Sequence, residues 1–392
     1  MEAFDPKQIV DCMDALRSDR DRPWSLHEPH FGGNEWQYVR DCIDGGWVSS
    51  VGKYVDRLEA SLAEYTGAPH AVAVVNGTAA LHVCLILANV QRGDEVLVPA
   101  LTFVATANAV KYCGATPHFV DSSTGTLGID PERLDAYLRD TALVKGGECF
   151  NRGTGARIRA LVAMHTFGHP VNIDPLMEVC ERYGLCFVED AAESLGSRYK
   201  GRHVGTFADV SALSFNGNKI MTTGGGGAIL AKDSAVAKRA KHLTTTARVA
   251  HRWSFLHDAV GFNYRMPNIN AALGCAQLEQ VPRFVEAQRA LADRYRQAFA
   301  AVSGARVFQE PAFAKSNYWL NVLLLDEASA AYRDEILALS NERGLMTRPV
   351  WTLMHRLPMY RECPRMELPT AESLEARLIN LPSTPHLVQG DG

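Results

Sequence analysis

Lys219 stands in the run Ser214-Phe215-Asn216-Gly217-Asn218-Lys219-Ile220-Met221-Thr222-Thr223, which leads into four glycines, Gly224 to Gly227. A lysine just past an apolar strand in a glycine-rich segment is partly desolvated, and burial disfavours its charged form. Such an amine is the natural Schiff-base nucleophile toward a carbonyl; the plainer alternative is a solvated loop lysine. The glycines follow the lysine instead of preceding it, so the segment is not a phosphate-binding P-loop. A second segment, Asn76-Gly77-Thr78-Ala79-Ala80, sits where a strand passes into a helix. Free backbone amides and the helix dipole make an anion seat there, and Gly77 lets a phosphate come close to the backbone. An ordinary turn capped by Thr78 is the alternative. A third segment, Val188-Glu189-Asp190-Ala191-Ala192-Glu193, ends an apolar strand on a carboxylate. A buried Asp190 needs a cation or a donor. A protonated pyridine nitrogen meets that need, as in pyridoxal phosphate enzymes; a helix cap is the competing use.

Other polar groups carry less. His165 and His169 are four apart, but Gly168 and Pro170 deny them a common helical face, and His27-Glu28-Pro29-His30 lacks zinc-protease spacing. Cys180 and Cys186 have no metal spacing and read as packing residues. No metal is expected.

These segments need elements to hold them. Short apolar runs predict strands at Ala71–Val75, Glu95–Pro99, Thr116–Val120, Arg159–Met164, Cys186–Glu189, Val210–Phe215 and Gly227–Leu230. Helical stretches at Thr78–Asn89, Thr106–Cys113 and Pro175–Tyr183 lie between them, which implies right-handed crossovers and a mainly parallel sheet covered on both faces. Ligands of such sheets sit beyond the carboxyl ends of the strands. A smaller α+β unit follows, with a long or kinked helix over 270–300 broken near Pro282, a strand over 318–325 and a helix over 330–343. The division is placed at 260/261: an amino-terminal arm and large α/β domain over 1–260, and a smaller domain over 261–392.

The 392 residues are 47% hydrophobic and 21% charged with a formal charge of −4, which suits two globular domains and argues against a nucleic-acid coat or a polybasic membrane binder. No apolar run approaches the roughly 18 residues of a membrane span, and the first 25 residues lack the apolar core of a secretory signal. Nine scattered cysteines suit reduced thiols in the cytoplasm.

In this order and spacing the segments NGTAALH, PALTFVATANAV, VEDAAESLGSRYKGRHVGTFADVSALSFNGNK and GFNYRMPNINAALG resemble the DegT/DnrJ/EryC1/StrS family of sugar aminotransferases, from about His27 to Pro385. The resemblance implies the aspartate-aminotransferase fold (fold type I), pyridoxal 5'-phosphate as cofactor, and a homodimer with a shared active site. It implies that Lys219 bonds the cofactor and shuttles the proton, that Asp190 keeps the pyridine nitrogen protonated, and that Phe103 stacks on the ring. Gly77, Thr78 and Ser214 would hold the phosphate, joined by Asn263 from the neighbouring subunit. Glu193 departs from the Gln or His common near the phenolic oxygen, where two facing acceptors would need a shared proton. The all-glycine run after Thr223, where much of the family reads TTGEGG, resembles the branch making 4-amino sugars for bacillosamine and legionaminic acid. That branch implies L-glutamate as amino donor and the C4 ketone of a nucleotide-linked 2-acetamido-4-keto-2,6-dideoxyhexose as acceptor. Arg265 is the first candidate for the diphosphate, with Arg248 and Arg252 behind it. Tyr318 and the Trp47–Ser50 loop, Ser49 included, are candidates for the sugar pocket, with Trp47 alternatively a core anchor. The alternatives are a 3-aminotransferase, a GDP-linked or non-acetylated sugar, a plain amino-acid aminotransferase, and a non-catalytic binding or regulatory protein on the same fold. Relatives that dehydrate sugars carry histidine in place of the lysine; Lys219 sets this chain apart from them.

Overall fold

Alternating apolar runs and helices build a nine-stranded central sheet in the computed structural model of the chain, which describes residues 4–17 and 21–387. The sheet runs β1 (His70–Val74), β11 (Gly227–Ala231), β10 (Val210–Ser214), β7 (Cys186–Asp190), β6 (Arg157–Met164), β2 (Glu95–Pro99), β3 (Thr116–Val120). A hairpin of β4 (Ala142–Lys145) and β5 (Glu148–Asn151) attaches to β6. Its Gly146-Gly147 turn has φ of 61° and 81°, the positive values that two-residue hairpin loops require.

The middle of the sheet is parallel, from β10 through β7, β6 and β2 to β3. The β1–β11 and β11–β10 pairs are antiparallel, so the sheet is mixed where the sequence reading has it mainly parallel. The reason is local: β10 and β11 are joined by the 215–226 segment, which turns straight back without a crossover helix. Lys219 lies in that return.

β2 and β10 are buried along their whole length, as expected of strands covered on both sides. α4 (Gly77–Leu87) packs over β10 and β11, beside α5 (Val104–Tyr112) and α8 (Ser234–Thr244). α6 (Pro131–Thr141) packs on α7 (Ile173–Tyr183), and α2 (Glu35–Asp44) and α3 (Lys53–Thr66) pack on α9 (Asn268–Leu278). The helix predicted over 270–300 is two: α9 ends at Leu278 and α10 (Val281–Ala298) begins with Pro282 in its first turn. Proline is tolerated there because that amide has no helical acceptor.

The smaller unit is an antiparallel sheet of β14 (Ala305–Val307), β16 (Asn321–Leu325), β18 (Leu378–Leu381) and β17 (Arg348–Pro349), flanked by α11 (Arg333–Glu342) and α12 (Pro369–Arg377). β8 (Arg198–Tyr199), β9 (Arg202–His203) and β15 (Ala314–Lys315) form a small sheet, and β12 (Arg248–Val249) pairs with β13 (Leu256–His257). Two segments cross the 260/261 division. α1 (Pro6–Asp14) buries Ile9, Val10 and Met13 with Leu325, Ile336 and Ile379 of the smaller unit. α9 buries Ala271, Ala272 and Cys275 with Leu58, Leu213 and Phe215 of the larger one. Among the described residues no helix is long and apolar enough to cross a membrane.

Candidate active site

Three backbones meet at the carboxyl end of β1. Asn76, extended at φ −169°, caps α4: its Oδ1 accepts the Ala79 amide at 2.8 Å. The first intrahelical bond runs from the Ala80 amide to Asn76 O, so the Gly77 and Thr78 amides precede it. A Cβ at Gly77 would lie 2.8 Å from Ser214 Cβ, and one at Gly227 would lie 2.6 Å from Leu213 O. Only glycine lets α4 settle onto the ends of β10 and β11, which brings Ser214 against the helix start.

Beyond Ser214 the return segment is tied down along its length. The Phe215 amide donates to Gly226 O at 2.8 Å, the Thr223 amide to Phe215 O at 3.0 Å, and Asn270 Nδ2 of α9 to Thr223 O at 2.7 Å. Ile220 and Met221 are buried. Lys219 is thereby aimed inward: its Nζ lies 3.1 Å from Glu193 Oε1 and 3.8 Å from the centre of the Trp319 ring. The Trp319 indole N–H donates to Asn218 O at 2.6 Å, so one side chain holds both the lysine's tip and the backbone just before it.

Two adjacent carboxylates on β7 point to opposite faces, as strand alternation demands. Glu189 accepts the Gly205, Phe207 and Ala208 amides and a bond from His165 Nε2. Burial alone would raise its pKa, but these donors hold it below the ordinary value. Asp190 turns toward Lys219, accepting from the Thr106 hydroxyl at 2.8 Å and the Ala192 amide at 3.2 Å. Burial pushes Asp190 up, against the pull of Thr106, Ala192 and the Lys219 charge. Glu193 is also pushed up by burial, opposed mainly by Lys219 and by the Phe167 amide on Oε2 at 2.9 Å. Phe167 reaches that position at φ 56°, a left-handed backbone that is costly for a non-glycine residue.

These groups surround a cavity of about 310 Å³. Of the residues predicted from sequence, Gly77, Thr78, Phe103, Asp190, Glu193, Ser214 and Lys219 all line it. The arrangement fits pyridoxal phosphate. The glycine cradle with the Thr78 amide and the Ser214 hydroxyl suits a phosphate, and the buried, donor-poor Asp190 suits a protonated ring nitrogen. Thr106, Trp319 and Trp351 also line the cavity and were missed. Thr106 follows Phe103 by one helical turn, a signal present in PALTFVATANAV. Nothing local marks Trp319 or Trp351, which arrive from the smaller unit's part of the chain.

The remaining candidates lie elsewhere. Asn263, Arg265 and Arg248 line a separate concavity with Ser50, Lys241 and His251, while Arg252 sits over Trp253 in the turn between β12 and β13. Ser49 is exposed, its carbonyl accepting the Asn268 amide. Trp47 is 60% exposed and so anchors no core. Tyr318 does not line the cavity. It is buried at φ 48°, edge-on to His169 and beneath Arg289, and its hydroxyl accepts the Glu310 amide. The positive φ of Tyr318 turns its neighbour, Trp319, to the lysine instead.

A mixed α/β sheet with a lysine in the return of its antiparallel edge and an aspartate at the end of a parallel strand defines a fold-type-I pyridoxal phosphate enzyme. The chain matches the DegT/DnrJ/EryC1/StrS aminotransferase family over residues 29–391 and belongs to it; it is a pyridoxal phosphate-dependent aminotransferase. It is 37% identical over 363 residues to a GDP-perosamine synthase of Vibrio cholerae, covering 92% of this chain and 94% of the relative. Among solved structures it superposes on the aminotransferase TlmJ from Streptoalloteichus hindustanus with a TM-score of 0.82 at 30% identity, covering 91% of this chain and 92% of the other. It superposes equally, at 0.82 and 28% identity, on DesI determined with its TDP-sugar product, covering 96% and 91%.

Proposed function

We propose that this aminotransferase moves the amino group of L-glutamate to the C4 ketone of a nucleotide-linked 4-keto-deoxyhexose. The observation that carries the reading is Lys219 Nζ, held 3.1 Å from Glu193 in a cavity that Asp190 and the glycine cradle also line. When bound, pyridoxal phosphate supplies an aldehyde and an electron-withdrawing ring that stabilises a carbanion. The protein supplies the rest. The Gly77 and Thr78 amides and the Ser214 hydroxyl would hold its phosphate, Asp190 would keep a proton at its ring nitrogen, and Phe103 would pack against the ring. Lys219 Nζ takes a proton from the donor's carbon and returns one to the sugar's carbon. Trp319 and Trp351 narrow the cavity against water.

The concavity containing Asn263, Arg265 and Arg248 gathers three cationic or amide side chains away from Lys219 of the same chain. In a homodimer it would face the partner's cavity, where Asn263 reaches the phosphate and Arg265 the nucleotide diphosphate. GDP is the nucleotide favoured by the relatives, since three at 36–37% identity are GDP-perosamine synthases. The all-glycine run after Thr223 favours a second reading, a 2-acetamido-2,6-dideoxy-4-ketohexose. Nine unpaired thiols support a reducing compartment, the cytoplasm.

The test is spectroscopic. The holoprotein should show a visible cofactor band that L-glutamate bleaches, and only the correct keto-sugar from a GDP-, UDP- and dTDP-linked panel should restore it. Product NMR then separates C4 from C3 amination. A band indifferent to every amino donor would defeat the reading.

A further inference from the structure

This inference rests on the reading of Lys219 as the cofactor-bearing amine. Glu193 is 3% exposed, and its Oε2 is occupied by the Phe167 amide, leaving Oε1 to face Lys219 Nζ at 3.1 Å. A lysine bonds an aldehyde carbon only through a free lone pair, so an ammonium paired with a carboxylate must first shed a proton inside a cavity walled by Trp319 and Trp351. We propose that Glu193 is the residue that takes this proton and stores it. The Nζ–H bond breaks with its electron pair staying on nitrogen, and an O–H bond forms at Oε1. The ion pair becomes a neutral amine and carboxylic acid, and the pair's proton count is unchanged.

The surroundings support both ends of this exchange. An ion pair with Glu193 buried and Lys219 largely shielded is costly to keep desolvated, and the neutral pair reduces that cost. Burial drives Glu193 toward its protonated form and the Lys219 charge is the chief opposing influence, so a neutral Lys219 leaves only the Phe167 amide to oppose burial. Asp190 is the other carboxylate near Glu193 and pushes it the same way; His165 lies behind Asp190, and His27, near Lys219, is held neutral by burial. A protonated Glu193 is also a donor, which removes the conflict of two facing acceptors that its place in the sequence raises. The left-handed Phe167 backbone fixes Oε2 and so keeps Oε1 on the lysine.

The experiment follows reductive methylation of Lys219 by formaldehyde and cyanoborohydride in the full-length, cofactor-free chain, read by peptide mass spectrometry, with exposed Lys145 as internal reference. A proton kept within the pair makes the Lys219 rate nearly flat, within about twofold over about pH 6.5–8.5, while a lysine exchanging with solvent gains about tenfold per pH unit. Glu193→Gln retains an acceptor for the Phe167 amide but cannot store the proton, so its Lys219 profile should regain the slope of Lys145. A sloping wild-type profile overturns the proposal, and this measurement stands even if the variant does not fold. A flat profile shared by wild type and Glu193→Gln overturns it too, because then only the structural hold on Phe167 is at work. Adding pyridoxal phosphate separates the two readings: no lysine-linked absorbance band defeats the assignment of Lys219, whereas a band with a sloping profile defeats the proton store alone.

Discussion

Glu189 and Asp190 are chemically near-equivalent neighbours, yet the structure separates their roles through what each side of β7 offers. Three backbone amides and a histidine keep Glu189 ionised as an internal tie, while Asp190 meets one hydroxyl and one amide and keeps capacity for a further donor. The same logic isolates Lys219, whose amine meets one carboxylate and one aromatic face. Lys219→Ala is therefore expected to abolish transamination, with a loss of at least about 10³-fold, the scale seen when a nucleophile acting as a unit with its partners is removed. Thermal melting should show the variant folded, because the side chain it deletes packs no core. At this scale the motif was legible: Lys219, Asp190 and the anion seat could be picked out by type and by position after apolar strands. Trp319 could not, because a tryptophan 100 residues further along the chain carries no local sign of where its ring will lie.

At the scale of elements, the site depends on how closely α4 can rest on β10. Gly77→Ala puts a methyl 2.8 Å from Ser214 Cβ, and relieving such overpacking costs about 1–3 kcal/mol. The expected result is a lower melting temperature together with weaker cofactor binding, measured by absorbance titration, because the displaced helix start is the proposed phosphate seat. Gly217→Ala is the control. That position lies in the Lys219 segment with open space around it, so its melting temperature should match wild type. Strand and helix positions were readable from apolar periodicity to within a residue or two for β2, β3 and β7. The β4–β5 hairpin was not, because β4 is short and mostly exposed, its apolar Ala142-Leu143-Val144 run too brief to stand out; its Gly-Gly pair is the local mark.

At the scale of the whole molecule, stability and pH are linked by histidines buried without charge. Burial pushes His169 down to about 3, with Arg289 adding to the effect, and His203 down to about 4. A folded-state value below the unfolded one means that the unfolded chain binds the proton first. Stability is thus full above the unfolded value near 6.5 and falls as the pH drops toward about 4. Each such histidine then contributes a loss on the order of 3 kcal/mol, and Glu189, held low by its donors, adds to it at the acid end. His169→Leu, which keeps an apolar filling beside Phe308 and Tyr318, should gain in melting temperature relative to wild type on going from pH 7.5 to pH 4.5. A gap that stays constant across that range would refute the linkage. The sequence by itself determined the chemistry available, the strands that carry it and the family, because those follow from residue type and short-range periodicity. Only the tertiary structure decided that the sheet is mixed, that α1 closes the smaller unit's core, that Trp319 and not Tyr318 meets the lysine, and that Asn263 and Arg265 stand apart from it. Each of these depends on which distant segments bury their apolar surface together, and burial between distant segments leaves no periodic trace in the chain.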